Sequence, residues 1–284
     1  MTEFPRTTVG GVSLPRMIVG TNWLLGATHR SAAKDKFVRD FQTSKNIADI
    51  LTVGGEYGIN AIFGWPTPVI AEGVKEAEQK TGKKIHWFML PGFNMLPGGR
   101  EEMEPERMFD HVKELGCTFC LPHQYVTDAL MDLMHKEIRD LDKYTKMIRD
   151  RGMIPGLSTH MPQAIPYADK GGYDIETYVQ IYNCDGFMMQ MEIDWVMRII
   201  QQAKKPVVCI KPMAAGQLLP PVGLAFVWNT IRDQDMVCVG VTTPDEMKED
   251  IEMSLDFLAK RVPDHELQKT RSKTSLSDDQ TADR

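Results

Sequence analysis

The sequence predicts an α/β protein folded as a single (β/α)8 barrel with an N-terminal β-hairpin. Three observations carry this. Eight short apolar runs follow one another along the chain, and each leads into a stretch whose apolar residues recur with helical spacing. The length, 284 residues, leaves room for such a barrel, for which roughly 250 residues is typical. The competing doubly wound sheet lacks support, because the GxGxxG turn of its dinucleotide-binding form is missing.

The elements read in order as follows. Thr7–Leu14, turning at Gly10-Gly11, predicts a hairpin that closes the barrel floor. The strands are expected at Arg16–Thr21, Asn60–Phe63, Ile85–Leu90, Thr118–Leu121, Met153–Leu157, Gly186–Glu192, Pro206–Ile210 and Met236–Val241. Ile47, Ile50, Leu51 and Val53 mark one intervening helix, and Val196, Ile199 and Ile200 another. Thr243-Pro244-Asp245-Glu246 opens the last helix with a capping Thr, a Pro at the first helical position and a Glu three residues on. The barrel domain spans residues 1–262. Residues 263–284 form a polar tail, a candidate for subunit contacts in a homo-oligomer. Two long connections, Asn22–Thr43 with Trp23 and His29, and Pro91–Glu101, fall at the C-terminal rim.

Composition excludes several classes. Hydrophobic residues make up 42% and charged residues 25%, as in ordinary globular domains, so wholesale disorder is out. The net charge of −6 and the absence of a Lys/Arg-dense segment argue against a nucleic-acid partner. No uncharged apolar run is long enough to span a membrane, and the N-terminus lacks an apolar signal segment. Together with the odd count of five cysteines, this points to the cytoplasm. The one CxxC, Cys117 to Cys120, lies on a strand, where positions i and i+3 face opposite ways; it reads as structural.

Active sites of such barrels are built at the C-terminal strand ends, and the titratable residues concentrate there. His123 and His160 close neighbouring strands, and Glu192 ends the next. Two imidazoles and a carboxylate suit either a divalent metal with open positions or acid–base work without one. Lys211 follows the apolar run Val207–Ile210, so burial should lower its pKa and fit it to act as base or Schiff-base nucleophile. Gln190, placed on the sixth strand, points inward as an amide for a polar ligand. The Thr243 helix start reads as a cap rather than a phosphate site, since Asp245 and Glu246 put negative charge there.

Several segments, taken in order, resemble the aldo/keto reductases. Met17–Asn22 is similar to their first strand with its Gly-Thr end, and Tyr57–Ala61 to the entry of their second. Met188–Glu192 resembles their Gln-x-Glu strand, Lys211–Gly216 their Ser-Pro-Leu-x-x-Gly turn, and Val241–Glu246 with Glu249 and Asp250 their final nucleotide-binding segment. The resemblance implies the same barrel, and NAD(P)H held by Thr21, Asn22, Ser158 and Gln190. It also implies a catalytic set of Asp, Tyr, Lys and His, of which only His123 has a match. Ala61–Thr67 offers neither the Asp nor the Tyr, Met89–Pro91 no Lys, and Gly240–Asp245 no basic residues for a 2′-phosphate.

Three functions remain open. The first is an isomerase or lyase acting on a small polar carbonyl or sugar-like substrate. It would use Lys211, His123, His160 and Glu192 as catalytic groups, or His123, His160 and Glu192 as metal ligands. The second is an atypical NAD(P)H-dependent reductase with His123 as proton donor. The third is a barrel that binds a ligand without turning it over. The missing acid places the first ahead of the second.

Overall fold

The structure is a computed structural model that describes residues 2–263. The expected tail, apart from Pro263, lies outside the described residues. Arg6–Val9 and Val12–Pro15 pair antiparallel as the N-terminal hairpin. Its turn needs left-handed backbone at two successive positions, and Gly10 (φ +53°) and Gly11 (φ +80°) supply it without a Cβ penalty.

The main sheet is wholly parallel and contains nine strands. Seven are continuous: Met17–Gly20, Ala61–Gly64, His86–Met89, Phe119–Cys120, Tyr178–Ile181, Val207–Ile210 and Met236–Val239. The other two are halves of one barrel strand. Ile154–Pro155 pairs with the fourth strand and Leu157–Ser158 with the sixth, so the ring closes through this broken fifth strand. Gly156 stands at the break. A Cβ there would lie 2.8 Å from Leu121 Cγ and 2.9 Å from Thr177 Cγ2.

Alternation sorts the side chains into two layers. Ile18, Ala61, Phe63, Phe88, Leu90, Phe119, Leu121, Val179, Val208, Met236 and Cys238 fill the interior, plugged from below by Val9 and Leu14 of the hairpin. Phe63, Phe88 and Phe119 are register partners on adjacent strands and form one layer, with Phe88 stacked on Phe119 at 4.2 Å. The opposite faces pack against the outer helices. Helix Ser44–Glu56 approaches helix Pro68–Thr81 closely because Gly73 has no side chain; a Cβ there would come within 2.6 Å of Ile47 Cγ2.

The expected sixth strand is displaced. Gly186–Glu192 is not a strand but a turn-rich connection, with Met188 at φ +57° and 39% exposed. The strand is Tyr178–Ile181, whose aromatic and β-branched residues suit the pleated surface, whereas the methionines only matched it in hydrophobicity. Cys117 and Cys120 are buried free thiols. No helix among the described residues is long and apolar enough to cross a membrane.

Truncating Phe88, fully buried between Phe63 and Phe119, should cost about 3–5 kcal/mol of unfolding free energy. Urea denaturation of Phe88→Ala checks this; a loss below about 1 kcal/mol would show that the phenylalanine layer is not tightly packed.

Candidate active site

Because the interior is filled with apolar side chains, polar groups gather where the strands end. The first strand runs into Thr21, 1% exposed, whose hydroxyl has no hydrogen-bond partner among the described residues. Gly64 at the end of the second strand leans against it: a Cβ at Gly64 would fall 1.7 Å from Thr21 Oγ1. Asn22 Nδ2 stands 3.5 Å from Nε2 of His29, which the loop after the first strand brings back over the mouth.

Lys211 follows the seventh strand in left-handed backbone (φ +59°). Its Nζ lies 2.8 Å from His29 Nε2, so the ammonium donates to an unprotonated imidazole. Burial draws the Lys211 pKa down to about 8. Burial also lowers that of His29, helped by the charge on Lys211.

His123 follows the fourth strand between two aromatic rings, Trp65 at 4.7 Å and Tyr125 at 4.9 Å. Its Nδ1 accepts the Tyr125 N–H at 3.4 Å, which leaves Nε2 as the protonated nitrogen of a neutral ring. Burial pushes its pKa down to about 4. His160, after the fifth strand, is also pushed to about 4, first by burial and then by Lys211, His123 and His29. Its backbone N–H donates to both Asp128 carboxylate oxygens at 3.2 and 3.3 Å, and Thr159 Oγ1 donates to the same carboxylate at 2.5 Å. Asp128 thereby pins the loop that carries His160. At neutral pH the two histidines are uncharged, and Lys211 carries the positive charge of this group.

A pocket of about 330 Å³ opens beside Lys211 and His29, with His123 and His160 outside its lining. It runs from Thr21, Asn22, His29 and Lys211 at the mouth, past Trp23, Met213 and Leu218, to Glu246, Glu249 and Asp250 on helix Pro244–Leu258. The start of this helix is answered from within. Thr243 Oγ1 accepts from Glu246 N at 3.1 Å, while a Glu246 carboxylate oxygen accepts from Thr242 N, Thr242 Oγ1 and Thr243 N. Asp250 is 4% exposed, and among the described residues nothing hydrogen-bonds or ion-pairs with its carboxyl. Burial, then Glu246 and Glu249, raise its pKa to about 7.

Thr21 and Asn22 line the pocket; Ser158 is buried at the end of the fifth strand outside that lining. Gln190 and Glu192 do not join the site. Both are exposed on the connection after the sixth strand, and Glu192 precedes helix Ile193–Gln202 without making a side-chain cap. The displaced strand is the cause. The expected metal set of His123, His160 and Glu192 is therefore not assembled. Among the described residues, the group whose ligand atoms approach one another closely enough for a metal is Asp132, His135 and Glu137, on the hairpin Met131–Ile138. The Gln on the sixth strand is Gln180, which shares parity with Tyr178 and Tyr182 of the outer layer and does not face the interior. Trp65, Tyr125 and His29 carry no motif that marks them as site residues. His29 is one of several polar residues in a long loop, and only the loop's path brings it to Lys211.

Compared with known protein families and with curated proteins, the chain matches none. Solved structures do match. A Pseudomonas aeruginosa protein assigned as an aldo-keto reductase superposes with a TM-score of 0.64 at 15% identity, covering 89% of this chain and 96% of that one. An aldo/keto reductase from Brucella melitensis gives 0.59 at 14% identity, covering 92% and 96%. An aldo-keto reductase enzyme from a Medee basin deep-sea metagenome library gives 0.55 at 10% identity, covering 94% and 98%. At these identities the likeness is one of fold: the chain has the barrel of the aldo/keto reductases.

The Asp250 carboxyl has a measurable consequence for stability. In the folded chain it holds its proton up to about pH 7, against an ordinary value of 3.8. The contribution of that proton is complete below the unfolded value and is lost as the pH rises through the folded one, after which a buried charge opposes folding. Asp250→Asn should therefore raise Tm at pH 8 by about 2 °C or more, and by less at pH 5. An equal shift at both pH values would show that Asp250 is not held protonated.

Proposed function

We propose that the chain is a nicotinamide-dependent oxidoreductase of aldo/keto reductase type, acting on a small polar carbonyl compound. The observation that carries this reading is the pocket, which joins the Lys211–His29 pair at the mouth to the helix after the eighth strand. The neighbouring folds support the same chemistry, and nothing comparable favours an isomerase or lyase. The residues present fit such a cofactor: apolar walls at Trp23 and Leu218, an unpartnered Thr21 hydroxyl, and an unpartnered buried Asp250 carboxyl that accepts from a hydroxyl or amine.

When bound, a reduced nicotinamide supplies the hydride that a carbonyl carbon accepts. The chain must then deliver a proton to the carbonyl oxygen. His123, neutral and with a pKa near 4, is a weak source at pH 7. Lys211 is the better one. With a pKa near 8 it is mostly protonated at neutral pH, and its acidity is close to the working range favoured for acid catalysis. His29 Nε2, by accepting from Lys211, aims the amine; being exposed, His29 also gives it a route to recover a proton from water. Neutral His123, just outside the pocket lining and with the Trp65 ring tilted against it at 4.7 Å, offers its Nε2–H to the substrate oxygen.

Replacing Lys211 with Met should leave cofactor binding intact and slow carbonyl reduction by about 100- to 10,000-fold. In the unaltered protein the rate should fall as pH rises through about 8, because the acid form is the one required. Fluorescence titration with reduced nicotinamide cofactors followed by steady-state rates checks both. Full activity in Lys211→Met would remove the lysine from the mechanism, and no binding at millimolar cofactor would remove the reductase reading.

A further inference from the structure

We infer that the far end of the pocket selects a cofactor without a 2′-phosphate, so that NADH is preferred to NADPH; this rests on the reductase reading. The proton-delivering pair, Lys211 and His29, fixes where the reacting ring must sit. The adenosine half then extends along the pocket towards helix Pro244–Leu258.

That end is acidic. Glu246, Glu249 and Asp250 occupy positions i, i+3 and i+4 of the helix, share one face and all line the pocket. Among the described residues, none of the three forms an ion pair with a lysine or arginine. In barrels of this kind a phosphate commonly sits at the loops after strands seven and eight, against a helix N-terminus. Here those donors are engaged: Glu246 has already placed a carboxylate on the amides of Thr242 and Thr243 and on the Thr242 hydroxyl. A dianionic 2′-phosphate brought to this end meets carboxylates and few free donors. A ribose diol meets the same carboxylates as hydrogen-bond acceptors, the arrangement by which an acidic residue reads an unphosphorylated ribose. Asp250, buried and without a partner, is an acceptor left open for such a donor.

The test is a fluorescence titration of the full chain with NADH and NADPH, at low salt and again in 0.5 M NaCl. NADH should bind at least tenfold more tightly at low salt. The gap should shrink several-fold at high salt, since like-charge repulsion at a partly exposed site is screened. In Glu249→Arg, whose folding is checked by its circular dichroism melt, the gap should close or invert; Glu249→Gln should narrow it with a less disruptive change. Equal binding of the two cofactors, tighter binding of NADPH, or a gap insensitive to both salt and Glu249 would overturn the inference while leaving the reductase reading standing. Failure of either cofactor to bind at millimolar concentration would overturn both.

Discussion

The filled interior of the barrel governs everything above it. Phe63, Phe88 and Phe119 occupy one layer across three adjacent strands, and Val9 and Leu14 of the hairpin seal the floor. A barrel packed this way has no channel, so a ligand can be met only at the rim. The same packing supplies a low-dielectric base to the side chains that emerge there. Lys211, His123 and His160 all lose affinity for protons chiefly through burial. The chemistry at the mouth follows from the hydrophobic layer beneath it, since three imidazoles and an amine on an open surface would keep their ordinary proton affinities.

How far the sequence could be read depends on what kind of signal each element carries. Seven of the eight expected barrel strands overlap observed ones, because a strand buried on both faces leaves a continuous apolar run. The cap at Thr243 was equally legible: its Thr, Pro and Glu act within one turn and need no tertiary partner. The sixth strand failed for the opposite reason. Phe187 to Met191 is as apolar as a strand, yet hydrophobicity does not distinguish a methionine-rich turn from a pleated segment, while Tyr178–Ile181 carries the shape that does. That one displacement moved Gln190 and Glu192 out of the site and dissolved the expected metal set.

The site itself was legible only in part. Lys211, His123 and His160 could be placed because each directly follows an apolar strand, and strand ends are fixed points of the fold. Their partners could not. His29 reaches Lys211 across 182 residues of sequence, and Trp65 reaches His123 from a different strand end. Pairings of this kind depend on loop paths and ring orientations that no local pattern encodes. The lowered proton affinity of Lys211 was predictable from its position; that a neutral imidazole would accept its hydrogen bond was not.

The charges at the rim sort themselves along the pocket, and this ties the two ends of the site together. Lys211 holds the positive charge at the mouth, and Glu246 and Glu249 place carboxylates at the helix, beside the protonated Asp250. Burial first, and then Glu246 and Glu249, keep the Asp250 carboxyl protonated to about pH 7. On the proposed cofactor reading, the Glu246 and Glu249 carboxylates would repel a dianionic 2′-phosphate. The absence of basic residues from Gly240 to Asp245 and the presence of carboxylates on the helix thus act in the same direction. The mouth, by contrast, holds an ammonium bonded to a neutral imidazole, which on the proposed function would favour developing negative charge on a carbonyl oxygen. On the proposed function, proton delivery and cofactor choice would both derive from one charge gradient laid along a single pocket.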